Sequence, residues 1–506
     1  MSTQGGSGVG SGADKYDDAK DFLDKIGQKV YDEIVKKGVA ETYKGELKGN
    51  LTSSTFFVRE TVSSLDPCQL ESKYTELISG SGVAGGSGGS LASGVAARGD
   101  PCKKDTNGND VDRFSVKEQA EYDNKKMKCS NGKNEGACAP FRRLHLCNKN
   151  MVKMDTNNDD SSKAKHNLLV DVCMAAKYEG ETLTRYHPQY QNKYGDSQIC
   201  TVLARSFADI GDIVRGRDLY RRDKGEETKL ENNLKEIFKQ IHEDVMKTSD
   251  KNGELKTRYQ DDNGGNYYQL REDWWTANRE TVWKAITCSA DRVNAYFRKT
   301  CNEDGTSSCA IHQCRCQKKD GRHDSDQVPT YFDYVPQYLR WFEEWAEDFC
   351  RKKNKKVENA KNKCRGKDKY NQERYCSLNG CDCTKTVRAR GKLRYGNRCI
   401  DCLYACYPYV DWIDNQRKQF LKQKEEFEKQ VKKYKTEISD GVGSGSSRKT
   451  RAASTTNYEE YEKKFYDELK AKYEDEGLNK FLEKLSDEEV CKIFKEKEEG
   501  RIDFKN

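Results

Sequence analysis

No stretch of this 506-residue chain is long and apolar enough to span a membrane. Its opening, MSTQGGSGVGSGADK, lacks the apolar core of a secretory signal. Histidine is scarce, with six residues (His145, His166, His187, His242, His312 and His323), none in an HExxH arrangement. There is no Walker loop, no dinucleotide glycine fingerprint and no GxSxG nucleophile elbow. Acidic residues are spread along helix faces, and no pair stands apart as a catalytic dyad. No segment alternates apolar and polar residues over strand length, which points away from a sheet-based core. The sequence therefore supports no enzyme activity, no cofactor and no metal site, and its expected class is all-α.

What is present is covalent and electrostatic. Hydrophobic residues make up 34% of the chain and charged residues 35%, a balance that would mean disorder if the apolar residues were scattered. They are instead gathered, with 10% aromatics, into helical stretches. Twenty-one cysteines add the restraint that a thin core cannot supply. Such a density implies an oxidising compartment and an exported protein. Spacings such as Cys314-x-Cys316, Cys381-x-Cys383 and Cys399-x2-Cys402-x3-Cys406 resemble zinc ligands, but disulfides account for all the cysteines together. The odd count suggests a fragment of a longer membrane protein, with isolated Cys491 expected as the orphan thiol.

Along the chain, a Gly/Ser tail (1–13) precedes an amphipathic helix expected from Asp14 to Lys37. Cys68 opens a loop-rich region that includes a Gly/Ser insertion near Ser79 to Ala96. Helices are then expected over 168–178 and 200–214, around Leu234 to Val245, and over 271–288, describing a bundle. The segment Val328 to Cys350 places Leu339, Phe342, Ala346 and Phe349 on one helical face, widened by Trp341 and Trp345. Glu343, Glu344, Glu347 and Asp348 are expected to keep the opposite face wet. Two long helices, beginning near Trp412 and Tyr458 and separated by a flexible hinge, predict an antiparallel helical hairpin.

Charge is concentrated rather than diffuse. Residues 351 to 400 hold 17 Lys and Arg against 4 Asp and Glu, a local +13 that leaves −6 elsewhere from the total of +7. Three basic clusters are candidate glycan-binding sites: Arg215, Arg217, Arg221, Arg222 and Lys224; Lys352, Lys353, Lys355 and Lys356; and Arg388, Arg390 and Lys392. Sulfated polysaccharides reward such clusters through counterion release. Nucleic acid is disfavoured, since oxidising compartments hold little of it.

Four stretches carry a family resemblance: CAPFRRLHLC (138–147), LARSFADIGDIVRGRDLY (203–220), REDWWTANRETVWKAITC (271–288) and PTYFDYVPQYLRWFEEWAEDFC (329–350). They resemble the Duffy-binding-like adhesion domains of malaria parasites, most strongly the alpha class that begins the variant surface antigens called Plasmodium falciparum erythrocyte membrane protein 1. The resemblance implies an N-terminal segment (1–66), a loop-rich disulfide subdomain (67–165), a helix-bundle subdomain (166–325) and a long-helix subdomain (326–506). It also implies display on the infected erythrocyte, with the membrane-spanning part distant in the full-length protein. Expected partners are erythrocyte surface receptors, either sulfated glycosaminoglycans or blood-group glycans, in rosetting and cytoadhesion. A protein receptor, or a purely structural head that positions a following domain, are the alternatives. Arg142 and Arg143 are assigned to packing and buried pairing.

Overall fold

In the computed structural model, the described residues are 18–36, 40–55, 66–70, 99–102, 139–156, 160–220, 226–248, 253–260, 265–291, 293–303, 306–318, 327–365, 400–439, 460–473, 476–492 and 502–505, with isolated positions between them (104, 107–109, 111, 113, 114, 371 and 383). The Ser79 to Ala96 insertion and the hinge after Ser439 lie outside this set.

The first helix, α1 (Ala19–Tyr31), forms because Ala19, Phe22, Leu23, Ile26 and Val30 make one buried stripe. Its start falls later than the expected Asp14, and it widens into a π-helical turn over Asp32–Lys36. Gly27 is where it comes closest to the body: a Cβ there would lie 2.5 Å from the Tyr331 carbonyl oxygen. A short helix, α2 (Ala40–Leu47), follows.

The bundle comprises α3 (Ala164–Lys193), α4 (Ile199–Arg215), α5 (Glu226–Thr248) and α6 (Tyr268–Ile286). All seventeen residues of α4 are buried, so this helix has no solvent face. Its charged residues must therefore be paired internally. Gly216 ends it in the left-handed region at φ +72°, as a C-cap glycine does. Phe207 meets Trp275 at 5.1 Å and Trp283 at 5.2 Å between ring centroids. Helices α3 and α6 approach until the Gly180 backbone lies against Ile286; a Cβ on Gly180 would sit 1.8 Å from that carbonyl oxygen.

A two-stranded antiparallel hairpin, β1 (Lys299–Glu303) and β2 (Thr306–Cys309), follows the bundle. It escaped the alternation test because strands this short carry too few residues for a period-two signal. The fold remains all-α in class.

The last region is built on α7 (Gln337–Arg365) and α8 (Ile400–Ser439). Contacts run in opposite directions along the two: Tyr338 with Phe427, Phe342 with Phe420, Phe349 with Trp412, and finally the Cys364–Cys402 disulfide. The extensive antiparallel partner of α8 is thus α7. The third long helix, α9 (Glu460–Tyr473), meets α1 through Phe22 and Tyr473, and the turn at Phe332–Tyr334 through Tyr334 and Tyr461. A short α10 (Gly477–Ser486) adds Phe481 to the aromatic stack of Phe342 and Phe427.

Seven disulfides join described residues: Cys68–Cys288, Cys102–Cys147, Cys200–Cys314, Cys301–Cys316, Cys350–Cys491, Cys364–Cys402 and Cys383–Cys406. The expected orphan, Cys491, is paired. It returns 141 residues along the chain to the end of the aromatic half of α7. The unpaired thiols among the described residues are Cys173, buried in α3, and Cys309, half-buried on β2.

The acidic face of α7 is the largest departure from expectation. Glu343, Glu347 and Asp348 are buried: cations from other elements come to the two glutamates, and Asp348 is held by Lys352 one turn on and by the Tyr190 hydroxyl. Arg205 donates to Glu343 at 2.7 Å and to Glu347 at 2.8 Å. Lys20 and Arg351 complete the cluster, and Glu488 joins it from the short turn after α10. The Glu488 carboxylate also accepts from the backbone N–H groups of Ala19 and Lys20, at 3.0 and 3.2 Å, so it caps α1 from 469 residues away.

A candidate cationic binding surface

The helix propensity of RKKNKKVENAKNK carries α7 unbroken past its aromatic half, so the basic run is presented on a rigid rod. The first cations on that rod are structural. Arg351 is buried and donates to Asp196 at 2.6 Å and Glu347 at 2.8 Å. Lys352 pairs with Asp348 at 2.7 Å. Lys353 is buried, and burial together with nearby Lys361 pushes its pKa down to about 8.

Beyond these the surface opens. Lys355 is exposed, and its nearest carboxylate, Glu358 at 3.6 Å, is equally exposed, so the pair is a weak one. Lys361, Lys363 and Arg365 are exposed as well. Lys356 is half-buried, with its ammonium 5.4 Å from the centre of the Trp412 ring. Burial lowers its pKa, and the charges of Lys352 and Lys193 lower it further. Lys193 is the exposed last residue of α3, its ammonium 5.3 Å from the Tyr194 ring. Neither Lys193 nor Lys356 has a carboxylate partner among the described residues.

The first candidate cluster has a different fate. Arg215 is 0% exposed. It donates to the Gly211 carbonyl at 3.1 Å and to Asp212 at 2.9 Å, with Glu272 at 3.4 Å and the Tyr461 ring at 4.9 Å. Arg217 is buried too, bonded to Glu272 and 4.3 Å from the Tyr461 ring centre. These two arginines tie α4 to α6 and α9 and cannot reach an external ligand. Arg221, Arg222 and Lys224, and likewise Arg388, Arg390 and Lys392, lie outside the described residues.

Arg142 and Arg143 are buried and paired, as the sequence suggested: Arg142 holds buried Asp209 at 2.7 Å and half-buried Glu344 at 2.9 Å, and Arg143 holds buried Asp218 at 3.1 Å. A polar cleft of about 510 Å³ lies between α1, the start of α4 and the hairpin. Five of the six cations that line it are committed: Lys20, Arg205, Arg298 and Arg351 hold Glu488, Glu343, Asp24 and Asp196, and Lys25 holds Asp21, while the sixth is Lys299. It is therefore a poor seat for an anion. Sequence reasoning missed Lys193 and Trp412. Each lies far along the chain from residue 356, and only the packing of α3 and α8 against α7 brings them beside it.

Three family models match in succession along the chain. They describe the N-terminal segments of PfEMP1 (residues 18–55), the Duffy binding domain (136–340) and the Duffy-binding-like domain, C-terminal subdomain (344–506). The solved NTS-DBL1(alpha-1) domain of PfEMP1 from the Plasmodium falciparum varO strain is 32% identical. That match covers 97% of this chain and 92% of that one, with a TM-score of 0.64. The chain belongs to the Duffy-binding-like family of PfEMP1 modules. A longer varO structure, containing the NTS-DBL1-alpha and CIDR-gamma double domain, is also 32% identical, with 96% of this chain and 62% of that one covered and a TM-score of 0.68. The Duffy receptor beta form of Plasmodium knowlesi is 24% identical over 290 residues, 56% of this chain and 19% of its own length. The match thus spans about a fifth of that curated relative. Duffy-binding-like domains are binding modules, not enzymes, and no described helix is long and apolar enough to cross a membrane.

Proposed function

We propose that this chain is a host-cell adhesion module that binds erythrocyte surface glycans, heparan-sulfate-like or blood-group sugars, as the outer part of an antigen displayed on the infected red cell. The observation that carries this reading is the distal half of α7. Lys355, Lys361, Lys363 and Arg365 are exposed there on one rigid helix, and Lys356 and Lys193 beside them lack carboxylate partners among the described residues. A cationic surface of this kind gains affinity from polyanions by releasing counterions. It also steers their approach. The N-terminal segment, the loop-rich region, the bundle and the long-helix region serve, on this reading, as subdomains that hold that surface.

A protein receptor is the second reading. It is favoured by Tyr404 and Tyr407 on the outer face of α8, which are 70% and 47% exposed, since exposed tyrosines are common anchors of protein interfaces. A glycan-array and erythrocyte-binding screen across salt concentrations separates the two. The glycan reading expects binding to sulfated probes that falls steeply with salt. Binding that ignores salt and survives removal of glycans from the red cell would establish the protein reading instead.

A further inference from the structure

Of the two unpaired thiols among the described residues, Cys173 is sealed inside α3, whereas Cys309 is half-buried on β2 and lines the polar cleft of about 510 Å³ between α1, the start of α4 and the hairpin. A cleft of that volume is within the range of small-molecule sites. In an oxidising compartment a thiol that solvent can reach is open to pairing or capping. Six cations and five carboxylates line the cleft, a near balance that suits a zwitterion better than a polyanion. Lys299, the cation left over, is exposed and has no carboxylate partner among the described residues. Glu489, exposed in the short turn after α10, likewise has no cation partner among the described residues. Lys299 and Cys309 are register partners across the hairpin, so their side chains stand side by side. Arg205 is a further part of the wall. It is 3% exposed and makes its carboxylate contacts through Nη2, which leaves its Nε–H buried without an acceptor. A buried donor in that state costs free energy that a bound acceptor recovers. An uncommitted ammonium, an uncommitted carboxylate and an unanswered N–H thus line the same cleft as one reachable thiol.

We propose that Cys309 is a mixed-disulfide site for a small zwitterionic amino-acid thiol, of the cysteine or glutathione class, seated in this cleft. The assignment is independent of the receptor that the module binds. Lys299 takes the carboxylate of the adduct, Glu489 its ammonium, and the Arg205 Nε–H a carbonyl or carboxylate oxygen. The step is thiol–disulfide exchange. The Cys309 thiol gives up its proton, and its Sγ attacks one sulfur of a small symmetrical disulfide. That S–S bond breaks as the bond to Cys309 forms, and the second half leaves as a thiolate that takes up a proton. The small disulfide is the only oxidant the step consumes.

The test incubates the chain, its disulfides intact, with cystine, with oxidised glutathione and with uncharged hydroxyethyl disulfide. Intact-mass spectrometry follows the rate, and non-reducing peptide mapping locates the adduct. Each rate is divided by that of the same disulfide on N-acetylcysteine, which removes differences between leaving groups. The adduct should form on Cys309 while Cys173 stays unmodified. The normalised rate should be about tenfold higher for a zwitterionic disulfide than for the uncharged one, the scale of one charge-assisted hydrogen bond. Lys299→Gln and Glu489→Gln should each remove most of that preference. Both should react with hydroxyethyl disulfide at the wild-type rate, which together with unchanged circular dichroism shows that they fold. The faster of cystine and oxidised glutathione identifies the group that the cleft fits, and a preference for either supports the seat. Equal normalised rates for all three disulfides, or a preference that survives both variants, overturns it and leaves Cys309 as a merely accessible thiol. Resistance of Cys309 to all three overturns it as well. A Cys309-linked dimer forming in place of the adduct overturns it in favour of a second copy of the chain.

Discussion

Removing the Glu488 carboxylate should loosen the N-terminal segment from the body. In the native structure this group accepts from the Ala19 and Lys20 backbone amides and from the Lys20 ammonium at 2.5 Å. Burial works against a charged Lys20, but Glu488 and Glu347 outweigh it and hold the lysine pKa well above its ordinary value. Burial raises the Glu488 pKa to about 8 against the pull of Lys20, so the balance of three carboxylates, Glu343, Glu347 and Glu488, against three cations, Lys20, Arg205 and Arg351, is complete only above that pH. Above that pH Glu488→Ala leaves one buried positive charge over, which typically costs ~3–5 kcal/mol. Loss of the cap on α1 adds ~1 kcal/mol. Asp18 at 3.0 Å and Glu347 at 3.7 Å still face Lys20 and offset part of this, so the net expectation is about 3 kcal/mol. Glu488→Gln keeps an acceptor for the amides and should lose about half as much. Replacing the pair together, Lys20→Met with Glu488→Leu, should cost less than either single change. Urea unfolding followed by fluorescence of the buried tryptophans measures all of these, and amide exchange localises the effect to α1. The reasoning fails if Glu488→Ala unfolds within ~0.5 kcal/mol of wild type, the scatter of a neutral surface change.

Three further outcomes follow from particular contacts. A non-reduced digest analysed by mass spectrometry should contain the Cys350–Cys491 linked peptide, and Cys491→Ser should cost about 4–5 kcal/mol for a closed loop of this length; recovery of Cys491 as a free thiol would refute the pairing. Gly180→Ala forces a methyl group onto the Ile286 carbonyl and should destabilise the bundle by ~1–3 kcal/mol in thermal or urea unfolding, whereas Gly253→Ala, with nothing near it, should be neutral or better. His187 is bonded to Ser197 at 3.1 Å, and burial, with a smaller push from Arg351, lowers its pKa to about 4. The unfolded chain therefore binds the proton first. The contribution is complete above pH 6.5 and is lost as pH falls towards 4, by up to ~3 kcal/mol. His187→Gln should flatten the stability profile in that window, and an unchanged slope would discount the histidine.

Much of this was legible because helical period and burial are local properties. The stripe of α1, the faces of α4 and α6 and the aromatic half of α7 each follow from residues three and four apart. What stayed hidden is set by neighbours distant in sequence. Glu343 and Glu347 read as a wet face because nothing nearby in the chain announces Arg205 or Lys20 as their partners. Arg215 and Arg217 read as a surface cluster for the same reason, although Glu272 and Tyr461 enclose them. Cys491 looked alone because its partner lies 141 residues away. The expectation that α7 would present its basic half outward held only from Lys355 onward, since Arg351 and Lys353 are buried.

The claim that the distal half of α7 is the adhesive surface is tested most directly by the slope of log Kd against log salt for heparin. The comparison is between wild type and a variant carrying Lys355→Gln, Lys356→Gln, Lys361→Gln and Lys363→Gln together. The account predicts a shallower slope and at least a tenfold loss of affinity at physiological salt, because each removed cation releases fewer counterions. Wild-type slope and affinity in a folded variant would contradict it.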